Sequence, residues 1–365
     1  MATQRRSEAI WIESKGYWQI KVQKEGVRKA FTSSVKGRKG KHEAEAKADY
    51  WLEHGTVDML FFKAWEYYLR HVKASTGTGN AKNIASHGVL YLLPTLKIKK
   101  LKSITNSDWQ NCINNMVQNE KSARTCKNVI STISAFVTFC KGERWEINNL
   151  NKSLSVPNSA TQPEEKNILQ PSDLKKLFTE DTMLFRGNPI NAFYIYAWRL
   201  YVVTGLRRGE LVGLRREDVS GALTVRRNIN KFQETTQGKT HNARRKIALS
   251  NIATNILEQQ QAMLDDLKIK SDWVFPNKYG ECSDPNLIYR QWVRYCQYHG
   301  IKCTIHELRH TFISINKVKM PEVLIKSVVG HSVSMDTIGV YGHEVDGEKE
   351  LAAQYVDDAF QELLK

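Results

Sequence analysis

A mainly α-helical, multidomain protein with small β elements is the fold class this sequence predicts, from three observations. Its 365 residues exceed what one hydrophobic core spans, so two or three domains are expected. Apolar residues recur at helical spacing along most of the chain beyond residue 56, whereas the first segment alternates apolar and polar residues as strands do. Between helical stretches, residues 153–166 (SLSVPNSATQPEEK) hold two prolines and no apolar period, which marks a linker.

The composition sets the class of partner. Lys and Arg number 54 against 38 Asp and Glu, a formal charge of +16, and such a charge attracts polyanions through long-range fields and counterion release. With 41% hydrophobic residues the chain has enough apolar surface to fold, so disorder is confined to ends and linkers. The longest apolar stretch, residues 191–203, is too short to cross a bilayer and contains Arg199. Residues 1–11 lack the apolar run of a secretory leader, so the chain is expected to stay in the compartment that makes it. Nucleic acid, and not a membrane, is the expected partner. Six scattered cysteines without a C-x-x-C pair fit a reducing compartment and neither a zinc site nor a disulfide framework.

Residues 1–55 form the first expected module, a three-stranded sheet plus a helix. From Ala9 to Phe31 the alternation predicts three short strands, with turns at Gly16 and Gly26. A basic run, Lys36-Gly-Arg-Lys-Gly-Lys41, leads into a helix from His42 whose alanines and i,i+4 charges continue until Gly55. Residues 14–47 carry ten Lys/Arg against three Asp/Glu, with Tyr17, Trp18 and Phe31 interleaved. The functional reading is a sheet face that meets a DNA groove, with Lys21, Arg28, Lys36, Arg38, Lys39 and Lys41 as contacts; the bland reading is a solvated basic sheet.

Residues 56–155 read as packed helices, with apolar positions such as Leu60, Phe61, Trp65, Tyr68 and later Val129, Ile133, Phe136, Cys140. Lys99 and Lys100, with Lys97 and Lys102, cluster near one loop, and Lys121, Arg124 and Lys127 open another helix. Phosphate contacts are geometrically easy at such places, and ordinary surface is the alternative. Past a linker at 156–170, residues 171–345 are mainly helical, interrupted by two strand-like runs, 222–228 (ALTVRRN) and 244–249 (RRKIAL), that predict a hairpin. Residues 346–365 end in an amphipathic helix bearing Leu351, Tyr355, Val356, Phe360, Leu363 and Leu364.

Chemistry concentrates in the second half. In Thr204-Gly-Leu-Arg-Arg-Gly-Glu-Leu211 a turn opens a helix, and i,i+3 spacing puts Arg207 and Glu210 on one face. An arginine held by a carboxylate presents a fixed fork of donors to phosphate oxygens; read alone, the pair is equally a structural ion pair. His306-Glu-Leu-Arg309-His310 likewise places His306 with Arg309. Further on, residues 329–343 (VGHSVSMDTIGVYGH) supply His331 after a glycine and Tyr341 ten residues later. His306 and His310 have i,i+4 zinc spacing but no third ligand at a sensible distance.

The ordered set Arg207, a hairpin lysine, H-x-x-R, Gly-His and Tyr341, over roughly residues 170–345, resembles the catalytic domain of the tyrosine recombinases, the phage integrase family. Lys239 occupies the place of that family's hairpin lysine, with Lys231 and Lys246 nearby. More loosely, residues 56–155 resemble the family's helical core-binding domain, and residues 1–55 the small arm-type DNA-binding domains of integrases from phages and conjugative transposons.

The resemblance implies a 3′ phosphotyrosyl intermediate formed without ATP, metal or other cofactor. Tyr341 is then the nucleophile, Arg207 and Arg309 clamp the nonbridging phosphate oxygens, and His331 adds a hydrogen bond. His306 accepts the phenol proton, Lys239 protonates the departing 5′ oxygen, and Glu210 holds Arg207. Implied partners are double-stranded DNA at core-type and arm-type sites, further protomers in a tetramer on DNA, an excisionase and a host DNA-bending protein, in the bacterial cytoplasm at the nucleoid. The terminal helix would pack on a neighbouring protomer, with packing on its own domain as the alternative. Three rivals remain at this stage: a catalytically silent DNA-binding regulator of the same fold, a type IB-like topoisomerase, and a metal-dependent nuclease or transposase using clustered carboxylates.

Overall fold

The computed structural model describes residues 7–24, 27–54, 59–143, 145–148, 150, 153–161, 166–236, 244–330 and 347–365. The chain divides into two compact units, Met1–Glu164 and Glu165–Lys365. Among the described residues no helix is long and apolar enough to cross a membrane.

The first unit opens with the antiparallel sheet β1 (Ile10–Ile12), β2 (Tyr17–Lys24), β3 (Val27–Ser33), in that spatial order. Gly16 makes the first turn in the left-handed region at φ +66, which a residue with a Cβ adopts only at a cost. Gly26 and Gly55 lie outside the described residues. Helix α1 (Gly37–His54) covers one face of the sheet, packing Ala44, Ala48, Trp51 and Leu52 on Ile20 and Val22. The helix therefore begins within the basic run, five residues before the expected start at His42. No acidic residue stands in its first turn, so Arg38 and Lys39 add positive charge where the helix dipole is already positive. The glycine between them and Lys41 has a packing reason: a Cβ on Gly40 would fall 1.6 Å from the Val35 carbonyl oxygen and 2.9 Å from the Trp18 ring.

A second core in this unit is built by α2 (Phe61–Ser75), α3 (Thr78–His87), α4 (Leu93–Leu96), α5 (Asn106–Gln118) and α6 (Ala123–Gly142). Phe136 sits at its centre, 5.3 Å from Phe61, 5.4 Å from Trp65 and 5.4 Å from Tyr68, ring to ring. These aromatic pairs add directional contacts to the burial of large apolar area. Residues Gly88–Leu92 form a π-helical turn between α3 and α4. A Cβ on Gly88 would lie 2.2 Å from the Trp65 indole, so at this bulge the backbone passes against that ring with no room for a side chain.

The second unit is organised around α8 (Ile195–Thr204), where nine of the ten residues are buried, as expected of a helix apolar on all sides. Around it pack α7 (Pro171–Thr179), α10 (Asn251–Asp266), α11 (Pro285–His299) and α12 (Glu307–Asn316). The predicted hairpin is present as β6 (Ala222–Val225) paired antiparallel with β9 (Arg245–Ala248), and β7 (Asn228–Ile229) pairs with β8 (Thr235–Thr236) inside it. A second hairpin, β4 (Thr182–Phe185) and β5 (Asn188–Asn191), was not foreseen. Only Met183 of its eight strand residues is buried, so it leaves no alternating pattern; Arg186 and Gly187, both at positive φ, close it.

Helix α13 (Glu322–Val329) and the terminal helix α14 (Glu348–Leu364) complete the unit. Helix α14 lies against its own unit in this structure. Ala352, Val356 and Phe360 join the core of their own unit, and Asp357 caps α10 by accepting the backbone N–H groups of Asn251 at 2.8 Å and Ile252 at 3.0 Å. Two orphan donors of α10 thus find their acceptor in α14.

Candidate active site

The site begins where α8 stops, at Gly205, φ +61. A Cβ here would lie 2.6 Å from the Phe312 ring, so both the left-handed backbone and the space require glycine. Buried Leu206 then anchors the turn, and Arg207 becomes the N-cap of α9 (Arg208–Val212). Glu210 sits at the third position of that helix. Its Oε2 accepts the Arg207 backbone N–H at 2.8 Å, and its Oε1 accepts Arg207 Nη1 at 2.7 Å. The carboxylate side chain is 4% exposed and the guanidinium-bearing one 38%. The acid is inside and the cation looks out.

Arg309, on the first turn of α12, is buried. Its Nη1 donates to Gly205 O at 2.6 Å and its Nη2 to Val329 O at 2.7 Å. Arg207 Nη2 donates to Gly330 O at 3.0 Å. Both guanidiniums therefore meet adjacent carbonyls at the C-terminus of α13, where the helix dipole favours cations. Burial, and then the charge of Arg207, push Arg309 down to about 10, which leaves it protonated at neutral pH.

The sequence reading missed Arg245, the first residue of β9. Its Nη1 and Nη2 donate to Glu210 Oε1 at 3.1 Å and Oε2 at 2.9 Å, and its Nε donates to Val328 O at 2.6 Å. Burial acts to raise Glu210, but Arg245 and then Arg207 outweigh it and hold the carboxyl below its ordinary 4.5. Nothing in the local pattern pointed to Arg245, since its partner lies 35 residues away. The only signal was a cation at an inward-facing strand position.

His306 is the N-cap of α12, with its ring 5.2 Å from that of His310. It lines a polar cleft with Arg208, Asn228, Lys231 and Tyr289; Lys231 is one of the two lysines that the sequence left beside Lys239. Burial lowers His306 from its ordinary 6.5, and the charges of His310, Arg309, Lys166 and Arg207 lower it further. A neutral ring near neutral pH is what a proton acceptor requires. Lys166 Nζ is 3.0 Å from His310 Nε2. A Lys166→Gln protein is therefore expected to have the His306 titration moved upward toward 6.5, read from its imidazole resonances across pH. An unmoved titration would detach Lys166 from this pair.

Lys239, His331 and Tyr341 lie outside the described residues. Among the described residues no group of three His, Cys, Asp or Glu side chains converges as a metal site.

The DNA-contact candidates divide. The strand register puts Tyr17, Gln19, Lys21, Gln23 and, opposite them, Arg28 on the sheet face away from α1. Trp18 and Phe31 belong to the other face, against α1, so of the interleaved aromatics only Tyr17 is on the outward face. Lys21, Arg28, Lys36, Arg38 and Lys39 are exposed. Lys41 is 2.6 Å from Glu8. Lys99 is 2.6 Å from Asp108, the residue whose carboxylate also accepts the backbone N–H of Thr105 at the start of α5. Lys100, Lys121, Arg124 and Lys127 are exposed on the helical segment.

Residues 167–348 match the phage integrase family. The chain is 23% identical to a XerC-like tyrosine recombinase of Caldanaerobacter subterraneus subsp. tengcongensis, over 88% of this chain and 90% of that protein. It is 23% identical to the ICEBs1 integrase of Bacillus subtilis, over 71% of this chain and 72% of the relative. In structure it is similar to the Tn1549 transposon integrase in complex with transposon right end DNA, at TM-score 0.62 and 18% identity, covering 81% of this chain and 99% of that one. A lambda integrase tetramer bound to a Holliday junction gives TM-score 0.61 and 17% identity, covering 92% and 98%.

Proposed function

This chain belongs to the phage integrase family of tyrosine recombinases, and on that footing we propose that it cuts and rejoins DNA at specific sites to integrate or excise a mobile element. The observation that carries the reading is the convergence of Arg207 and Arg309 on neighbouring carbonyls of α13, with His306 close enough for both charges to act on it. Two fixed cations answer the charge that builds on nonbridging oxygens when a phosphodiester becomes five-coordinate, and they need no rearrangement as it forms.

In the proposed step the Tyr341 oxygen attacks phosphorus and gives its proton to His306. The bond from phosphorus to the 5′ oxygen breaks, and that oxygen takes a proton from Lys239. Arg207, Arg309 and His331 hold the nonbridging oxygens. The products are a 3′ phosphotyrosyl bond and a free 5′ hydroxyl, which conserve the bond energy so that another strand's hydroxyl reverses the step. Residues 1–55 bind arm-type DNA through Lys21, Arg28, Lys36, Arg38, Lys39 and Lys41, and residues 56–155 bind core-type DNA through Lys99, Lys100, Lys121, Arg124 and Lys127. The working assembly is a tetramer on DNA, with an excisionase and a host DNA-bending protein setting direction, in the bacterial cytoplasm at the nucleoid.

Tyr341→Phe separates this reading from a silent regulator. On nicked DNA carrying candidate sites, in chelator and without nucleotide, the unmodified protein is expected to form a covalent adduct. The variant is expected to bind equally well and form none. Adduct formation by the variant, or none by the unmodified protein on any site, would contradict the proposal.

A further inference from the structure

We propose that Arg245 is a positioning residue for strand cleavage: by neutralising Glu210, it lets that carboxylate orient Arg207 without cancelling the charge Arg207 offers to phosphate. The inference rests on the reading of Arg207 as a phosphate clamp and adds a residue that reading does not use.

Charge and geometry both lead there. Among the described residues Glu210 is the carboxylate within ion-pair distance of Arg207, and alone the two would sum to zero. With Arg245 the group carries a net charge of +1, and the surplus is on the outward member. Arg245 commits all three of its nitrogens to Val328 and Glu210, while the side chain of Arg207 is 38% exposed. Arg245 occupies both Glu210 oxygens through a parallel fork, a geometry only a planar guanidinium supplies. Glu210 is thereby left to hold Arg207 by one side-chain contact and the backbone N–H.

The remaining donor of Arg245, Nε, reaches Val328 O. Val328, Val329 and Gly330 are consecutive, and their carbonyls accept in turn from Arg245, Arg309 and Arg207. Strand β9 is thus tied to the same helix end as both clamp residues, and a shift of Arg245 would move Glu210 and that helix end together.

The test uses the full-length protein with Arg245→Gln and Arg245→Lys, on nicked DNA with either an ordinary scissile phosphate or a methylphosphonate, which lacks one negative charge. Arg245→Gln is expected to cleave the ordinary substrate on the order of 10²-fold more slowly, the size of a modest misplacement of a reacting group. DNA affinity and its salt dependence should be unchanged, since no phosphate contact is removed. On the methylphosphonate the defect should shrink at least severalfold, because less positive charge is then needed. Arg245→Lys, which restores the charge without the fork, should fall between the two, and it serves as the test variant if Arg245→Gln does not fold. A defect of equal size on both substrates would mean a structural role only, and normal cleavage by both variants would mean none; either overturns the inference. Absence of cleavage by the unmodified protein would instead overturn the reading of the site.

Discussion

Arg309→Ala is expected to lose cleavage almost completely and to be markedly less stable than the unmodified protein. The guanidinium is buried and serves two carbonyls, Gly205 O at the end of α8 and Val329 O at the end of α13. Removing it strands both acceptors, and each unsatisfied buried group costs about 1–3 kcal/mol. The ends of two helices lose the bridge between them, and Phe312 and Gly205, packed ring against backbone, lie beside the resulting cavity. Loss of one preorganised donor to a transition-state oxygen lowers the rate by about 10²–10³ on its own. Arg309→Lys should recover part of the stability, because an ammonium reaches one carbonyl, and little of the rate, because it lacks the fork. Denaturant titration and single-turnover cleavage read the two effects separately. Full stability in Arg309→Ala would show that the two carbonyls find other donors.

Glu210→Ala is expected to cost about 3–5 kcal/mol, the range for removing one partner of a buried pair and leaving the other uncompensated. Two guanidiniums would then face each other without a counter-charge, and Arg245 could not escape to solvent. The N-cap bond to the Arg207 backbone N–H goes as well, adding about 1 kcal/mol. Glu210→Gln keeps the shape and should be milder. The pH response distinguishes charge from shape. The Glu210 carboxyl is held below 4.5 in the folded state, so its contribution is complete above that value and is lost as pH falls through the lower folded value. Glu210→Gln should lack this segment of acid destabilisation. An acid limb of the same depth in both proteins would place the effect elsewhere.

Much of this site could be read from the sequence because its members sit at short, fixed spacings. Arg207 and Glu210 share one turn, and His306 stands within a turn of Arg309, so helical geometry alone relates them. The apolar run before Gly205 announced a buried helix, and the two strand-like runs announced the hairpin. What escaped notice depends on tertiary distance or on faces. Arg245 meets Glu210 only after β9 is paired with β6, and its contact with Val328 spans 83 residues. The β4–β5 hairpin is almost wholly exposed, so no burial pattern marks it. In the first sheet, alternation told that Tyr17 and Trp18 face oppositely but not which one faces α1; the helix docked on the Trp18 side. The ion pairs of Lys41 with Glu8 and of Lys99 with Asp108 went unseen because the partners are distant in sequence.

Mapping the protein residue joined to DNA is the most direct test of the central claim. After reaction with a nicked duplex, proteolysis and mass spectrometry of the DNA-linked peptide should place the bond on the oxygen of Tyr341, with the DNA attached through its 3′ phosphate. A bond to any other residue, or attachment through a 5′ phosphate, would contradict the account.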